Sequence, residues 1–234
     1  MTTVHMRRDG TWVECHASVR ACPRMFHLPQ MSVAEARQLP MTMLYPLLEV
    51  LDPPHAIFAN GQKNWVLSNA MHRDYDLPAS IRADGTMQWF QHGERHRGGD
   101  KPAIVFADGM LEWWENGQMA RSSGGPTRID ASGTQQWLHG NGNILHRDGD
   151  LPAVIFSDGS QEWYQNGQRH RDGGQPAMVH ANGTRMWIEE GNLHREDGPA
   201  SMVAGSPQEW WYRGRRFSGF EELAQHLATA QRGD

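Results

Sequence analysis

The chain has 234 residues and a formal net charge of −5. Its acidic and basic residues are interspersed, with no Lys/Arg stripe, which argues against nucleic acid as the main partner. No apolar run reaches the ~18 residues of a bilayer span, and the two cysteines do not make a disulfide framework.

The opening, MTTVHMRRDGTW, lacks the apolar core of a secretion signal. A cytoplasmic protein without membrane association is the expectation. A hairpin about Asp9 and Gly10 is predicted first. Next comes ECHASVRACPRMFH, holding Cys15, His16, Cys22 and His27, with His5 nearby. The usual C-x2-C spacing of a zinc site is missing, so no metal is assigned. A zinc module or an enzyme centred on this segment remains an alternative. Ser32 and Glu35 form a capping box that starts a short helix through about Leu39, and a second short helix is predicted from Met41 to Leu51. Residues 1–51 are read as a cap.

From there the chain repeats. The prolines Pro54, Pro78, Pro102, Pro126, Pro152, Pro176 and Pro199 each stand eleven residues before a tryptophan: Trp65, Trp89, Trp113, Trp137, Trp163, Trp187 and Trp210. Seven matches at one spacing exceed what composition alone would give, even with ten Trp and 25 Gly. After each proline, near-constant positions (Ala153, Ile155, Ser157 in the fifth unit) alternate with variable ones (Phe156 and its counterparts Phe58, Arg82, Phe106, Asp130, His180, Val203). Alternation at period two predicts a strand whose constant face is buried. Turns such as Asp108-Gly109 and Asp158-Gly159 end these strands. A three-residue loop with left-handed Gly would place Trp163 opposite Ala153. A second turn (Asn116-Gly117, Asn166-Gly167) precedes a His-Arg pair at 72–73, 96–97, 146–147, 170–171 and 194–195. Residues 52–217 thus read as seven hairpin repeats. In residues 218–234, Ser218 and Glu221 form another capping box, with Phe220, Leu223, Ala224 and Leu227 on one helical face. The expected fold is mainly β: an elongated repeat sheet of stacked antiparallel hairpins whose open edges are closed by small α-containing caps.

The D-G-x3-W-x3-G-x2-H-R units resemble the MORN repeat superfamily, especially bacterial and viral variants with longer units, over about Asp52 to Phe217. The glycine that typical units carry two residues before the Trp is missing before Trp163, and the Pro-Ala opening lies outside the usual pattern. The resemblance implies a curved sheet serving as a scaffold or protein-binding surface. It also implies antitoxin-like neutralisation among bacterial relatives and lipid binding as a proposal for the family.

A catalytic residue is needed once, whereas the His-Arg pair recurs five times and reads as scaffold. No G-x-S-x-G, P-loop, H-E-x-x-H or G-x-G-x-x-G motif is present. No catalytic residue and no cofactor is therefore assigned. Partner binding is assigned to the face opposite the tryptophans, where the residue after each Trp is apolar: Phe90, Trp114, Tyr164 and Trp211, joined by Phe106 and Phe156. The fourth unit departs most from the pattern and adds Arg128 and Asp130. The alternatives for this face are packing against the N-terminal segment, a second layer or another copy of the chain, and a carbohydrate or small-ligand ladder.

Overall fold

A computed structural model describes residues 2–6, 12–16, 52–140, 142 and 144–230. Thr2–Met6 and Trp12–His16 pair antiparallel, with Met6 opposite Trp12, across the expected Asp9-Gly10 turn. That turn, the two N-terminal helices, Cys22 and His27 lie outside the described residues, as do the side chains of His5, Cys15 and His16.

The repeats form one sheet of thirteen two-residue strands, hydrogen-bonded in chain order and antiparallel throughout. At about 4.8 Å between strands it runs for roughly 60 Å. The fifth unit shows the rule. Val154–Ile155 pairs with Gln161–Glu162, Val154 opposite Glu162. Phe156 N donates to Ser160 O at 2.9 Å and Gly159 N to Phe156 O at 3.0 Å. The loop is therefore Ser157-Asp158-Gly159, with Gly159 at φ 86° and the Asp158 carboxylate accepting from Ser160 N at 2.8 Å. This is the three-residue loop, but the alanine that Trp163 meets is not Ala153: Ala153 N donates to Glu162 O at 2.9 Å, and Trp163 N donates to Ala177 O of the next unit at 2.8 Å.

Beyond each Trp the chain turns into a second, smaller hairpin at the side of the main sheet. In the fifth unit it is Tyr164–Gln165 with Gln168–Arg169. Its two-residue turn has Asn166 at φ 49° and Gly167 at φ 84°, the doubly left-handed type that matches strand twist. Seven such side hairpins stand in a row. Successive ones are tied by single backbone bonds such as Gly191 N to Arg169 O, 2.9 Å.

The buried face of the main sheet is not the expected one. The constant Ala79, Ala103, Ala153, Ala177 and Ala200 are fully buried, but the constant Ile81, Val105, Ile155 and Val179 are half-buried and Ile57 is 68% exposed. The residues between them go inside: Ser80, Ile104, Val154, Met178 and Ser201, beside Gln88, Glu112 and Glu162 of the facing strands. The reason is the side row. Ile104 packs with Trp114, Met119 and Leu138, all from side hairpins, so that layer covers the face opposite the constant Ile/Val positions.

The C-terminal helix α1 (Phe220–Ala230) closes the array against the last side hairpin, Trp210–Tyr212 with Arg215–Phe217. Leu223 is fully buried, and the Phe220 ring lies 5.5 Å from that of Trp210. The capping carboxylate is Glu222 rather than Glu221. It accepts from both N and Oγ of Ser218 at 2.7 Å. Leu223 N already donates to Gly219 O, so the helix begins one residue later than Ser218 and the third helical position falls on Glu222. No helix among the described residues is long and apolar enough to cross a membrane.

Candidate binding face and the joints between units

Each pair of neighbouring units is held by one constellation. In the fifth unit the Trp163 ring carries the Arg171 guanidinium 3.9 Å above it, and Trp163 Nε1 donates to Asp150 O at 3.1 Å. Arg171 Nη1 donates to Pro176 O, the opening residue of the next unit, and its Nε and Nη2 grip the two Asp150 oxygens at 2.7 and 2.9 Å. Stacking leaves the guanidinium edge free for a two-point grip on a carboxylate. The same stack recurs at Arg73, Arg97, Arg121, Arg147 and Arg195. Asp52, Asp76 and Asp100 serve Arg73, Arg97 and Arg121 as Asp150 serves Arg171. The hydrogen bonds of Arg121 and then Ser123 hold the Asp100 carboxyl down to about 2. Arg171 lowers Asp150 likewise, and at Asp76 burial works upward but is outweighed by Arg97 and Lys101.

The histidine does not sit on a Trp. His170 Nδ1 accepts from Glu190 N at 3.1 Å, the first residue of the next side turn, and His72, His96, His146 and His194 do the same for His92, Asn116, Asn166 and Arg213. An accepting Nδ1 assigns the neutral tautomer with hydrogen on Nε2. That hydrogen goes to Asp172 from His170, and to Asp74 and Asp148 from His72 and His146. Both members of the His-Arg pair thus act between units, as structural links.

The rings expected on a face opposite the tryptophans do not lie apart from them: Phe106 packs on a cluster that holds both the constant Trp89 and Trp114, with Ile104. Trp114 is only 7% exposed, so it is core for this face and not an exposed anchor. Its Nε1 donates to Glu112 at 2.9 Å, and Arg128 grips the other Glu112 oxygen through Nε and Nη2 at 3.0 and 2.8 Å. Tyr164 repeats the motif. Its hydroxyl donates to Glu162 at 2.8 Å, and Glu162 is also met by Arg169 and His180. Burial, then the Glu162 bond, pushes the Tyr164 phenol up to about 12. In the last unit Trp211 Nε1 donates to Glu209, which pairs with Arg216. Phe90, Tyr164, Phe106, Phe156 and Trp211 are half-buried, and the Phe156 ring meets His180 edge-on at 6.2 Å. A ladder of three evenly exposed rings is therefore not present at Phe90, Trp114 and Tyr164. The glutamates were missed in the sequence, although a signal exists. Every unit with a hydrogen-bonding ring after its Trp (EWW, EWY, EWW) has Glu before it, and no other unit does.

The fourth unit keeps its Trp137–Arg147 stack and its His146 link, but three positions in it or just before it differ. Ser132 replaces the turn Asp, and Asp130 reaches in instead, accepting from Ser132 N, Ser132 Oγ and Thr134 N at 2.8, 2.6 and 2.9 Å. Ala120 stands where other units carry His, and the inserted loop opposite it compensates. Met119 N donates to Gly140 O at 3.0 Å, and the Met119 side chain packs so closely on Gly142 that an added Cβ would meet its Cε at 2.8 Å. Arg128 and Asp130, candidates for partner contact, thus both hold internal bonds.

Clefts open at equivalent places beside three of the stacks. The one lined by Asp150, Trp163 and Arg171 is about 240 Å³. Those where glycine replaces that Asp are larger: about 410 Å³ at Gly124, Trp137 and Arg147, and about 400 Å³ at Gly174, Trp187 and Arg195. Among the described residues no group of three or more His, Cys, Asp or Glu is placed to hold a metal ion. Comparison with family models, curated proteins and solved structures finds no match to this chain.

Proposed function

We propose that this chain is a non-catalytic, MORN-like binding module that holds a partner protein along its hairpin array and thereby neutralises or regulates it, in a cytoplasmic setting. The observation that supports this most is the use of the reactive residue types. The His, Arg and Asp of successive units are bonded into the same joint again and again, as in Asp150, Arg171 and Pro176. What differs from unit to unit is the set of side chains on the aromatic face, from Phe106 to Asp130, Phe156 and His180. A rigid frame with variable, part-exposed aromatics and arginines is suited to protein recognition.

The test is affinity capture from the host with the intact chain and with Phe156→Ser, a half-buried position whose loss should leave the joints intact. One protein retained in stoichiometric amount, and lost with Phe156→Ser while the circular dichroism is unchanged, is the expected result. Capture that is unaffected by changes at Phe156, Phe90 and Phe106 together would remove the aromatic face from the account.

A further inference from the structure

Five of the six stacked arginines close on a carboxylate, and Arg147 does not. Asp52, Asp76, Asp100 and Asp150 hold Arg73, Arg97, Arg121 and Arg171, all through Nε at 2.6–2.7 Å. Where Gly174 stands in the Asp place, Arg195 turns to Asp197 of its own unit, at 2.7 Å. Gly124 leaves the same gap, and among the described residues no carboxylate fills it. Arg147 keeps its seat 3.6 Å over Trp137 and its Nη1 bond to Pro152 O at 3.1 Å. Trp137 keeps its bond to Gly124 O at 3.0 Å. The frame is complete, and only a carboxylate is missing from it.

Neighbouring acids are already committed. Asp148 is bonded to His146, and Asp150 to Arg171. Among the described residues, none partners Arg147 Nε or Nη2. The surrounding cleft adds Leu138, Met119 and Leu151, the last 47% exposed at its mouth. Its volume, about 410 Å³, is larger than the about 240 Å³ of the cleft that holds Asp150. We infer that the Arg147–Trp137 cleft is a binding site for a carboxylate side chain, an Asp or Glu flanked by apolar residues, presented by a partner polypeptide. The guanidinium edge supplies two charge-assisted hydrogen bonds in the geometry the other joints display, and the exposed Leu151 side chain offers an apolar rim to a flanking residue, with the buried Leu138 and Met119 behind it. A lone small carboxylate would have the two bonds without the rim. The source of the carboxylate rests on the protein-binding reading above; the site itself does not.

The array supplies its own control. Gly124 has φ +77°, with nothing within 4 Å of an added Cβ, and Asp76, Asp100 and Asp150 occupy the equivalent backbone at φ 57°, 55° and 53°. Gly124→Asp should therefore fold and fill the site from within. The experiment is an NMR titration of the Arg147 guanidinium Nε–H signal, assigned by its loss in Arg147→Lys. The probes are a blocked Ala-Leu-Asp-Leu-Ala peptide, its Asn counterpart, acetate and inorganic phosphate. The Asp peptide is expected to shift the signal saturably. The Asn peptide should bind about tenfold to a hundredfold more weakly, as the loss of a charged hydrogen-bond pair implies. Gly124→Asp should move the signal the same way without any probe and abolish the response. No response to the Asp peptide, an equal response in Gly124→Asp, or a response to phosphate but not to carboxylates would overturn the site. If acetate matches the peptide, the site stands as an anion pocket but the polypeptide source is rejected. Loss of the site with retained partner capture would leave the protein-binding reading standing.

Discussion

The fifth unit and the fourth perform the same structural task with different residues. In the fifth, Asp158 closes the hairpin turn, His170 ties the side turn of the next unit, and Asp150 holds Arg171. In the fourth, the turn Asp has become Ser132, the preceding His has become Ala120, and the Asp facing the arginine has become Gly124. Two of these losses are repaired: Asp130 enters the turn, and the inserted loop reaches back to Met119. The third is not. A unit that had merely drifted would have no reason to keep its Trp–Arg stack while repairing some bonds and leaving one open. The comparison separates departures that preserve the frame from one that exposes a charged edge.

Four changes break or sharpen this comparison. The largest effect is expected for Trp163→Ala and Trp137→Ala, each removing a buried ring at a cost of about 3–5 kcal/mol; chemical denaturation should place them within about 1 kcal/mol of each other if the fourth unit is built as soundly as the fifth. Next, Arg128→Ala strands the buried Glu112 carboxylate with Trp114 as its remaining side-chain donor and should cost about 2 kcal/mol, whereas Arg128→Lys should recover part of that loss. Asp130→Ala removes three hydrogen bonds from one turn and should cost roughly 1 kcal/mol, in the range of a lost capping side chain. If Asp130→Ala instead leaves stability unchanged, the repair of the fourth turn is illusory.

The smallest effect is that of acid on the regular joints. Asp76, Asp100 and Asp150 have folded values below the ordinary carboxylate value of 3.8, so they favour the folded state above that value. That contribution fades as pH falls from about 3.8 toward the depressed folded values, about 2 at Asp100. These carboxylates are largely exposed, so the loss per joint is modest and should shrink further in salt. Gly124→Asp should add one more joint of this kind and make the acid limb of the stability curve slightly steeper.

Much of the fold was legible because the repeat averages over seven copies. The Pro-to-Trp spacing marked out the units, and the Asp-Gly turn set the register that places Val154 opposite Glu162, whereas the alanine beside Trp163 is Ala177 of the next unit and not Ala153 as expected. The buried face was misread. Near-constancy of Ile155 and its counterparts suggested burial, but two-residue strands with a side layer bury the opposite residues, and the constant Ile/Val row is only half-covered. Pairings 13 to 21 residues apart, such as Trp163 to Asp150 or Arg171 to Asp150, were invisible to a reading by local period, although the Asp and Arg stand at matching positions in four units. The glutamate beneath Trp114, Tyr164 and Trp211 was hidden for another reason. A charged residue before a Trp reads as solvated until the neighbouring ring proves to be its donor.

The central claim is that one joint in the array lacks a carboxylate while the rest are closed. It is tested most directly by the exchange of arginine Nε–H with water in the free protein at neutral pH. Arg97, Arg121, Arg171 and Arg195 should show protected Nε–H signals that lose protection only well below pH 3.8, as the pH approaches the depressed values of their Asp partners in the folded protein, about 2 at Asp100. Arg147 should be unprotected throughout and should join the protected set in Gly124→Asp. An Arg147 signal as protected as that of Arg171 in the unmodified chain would contradict the claim.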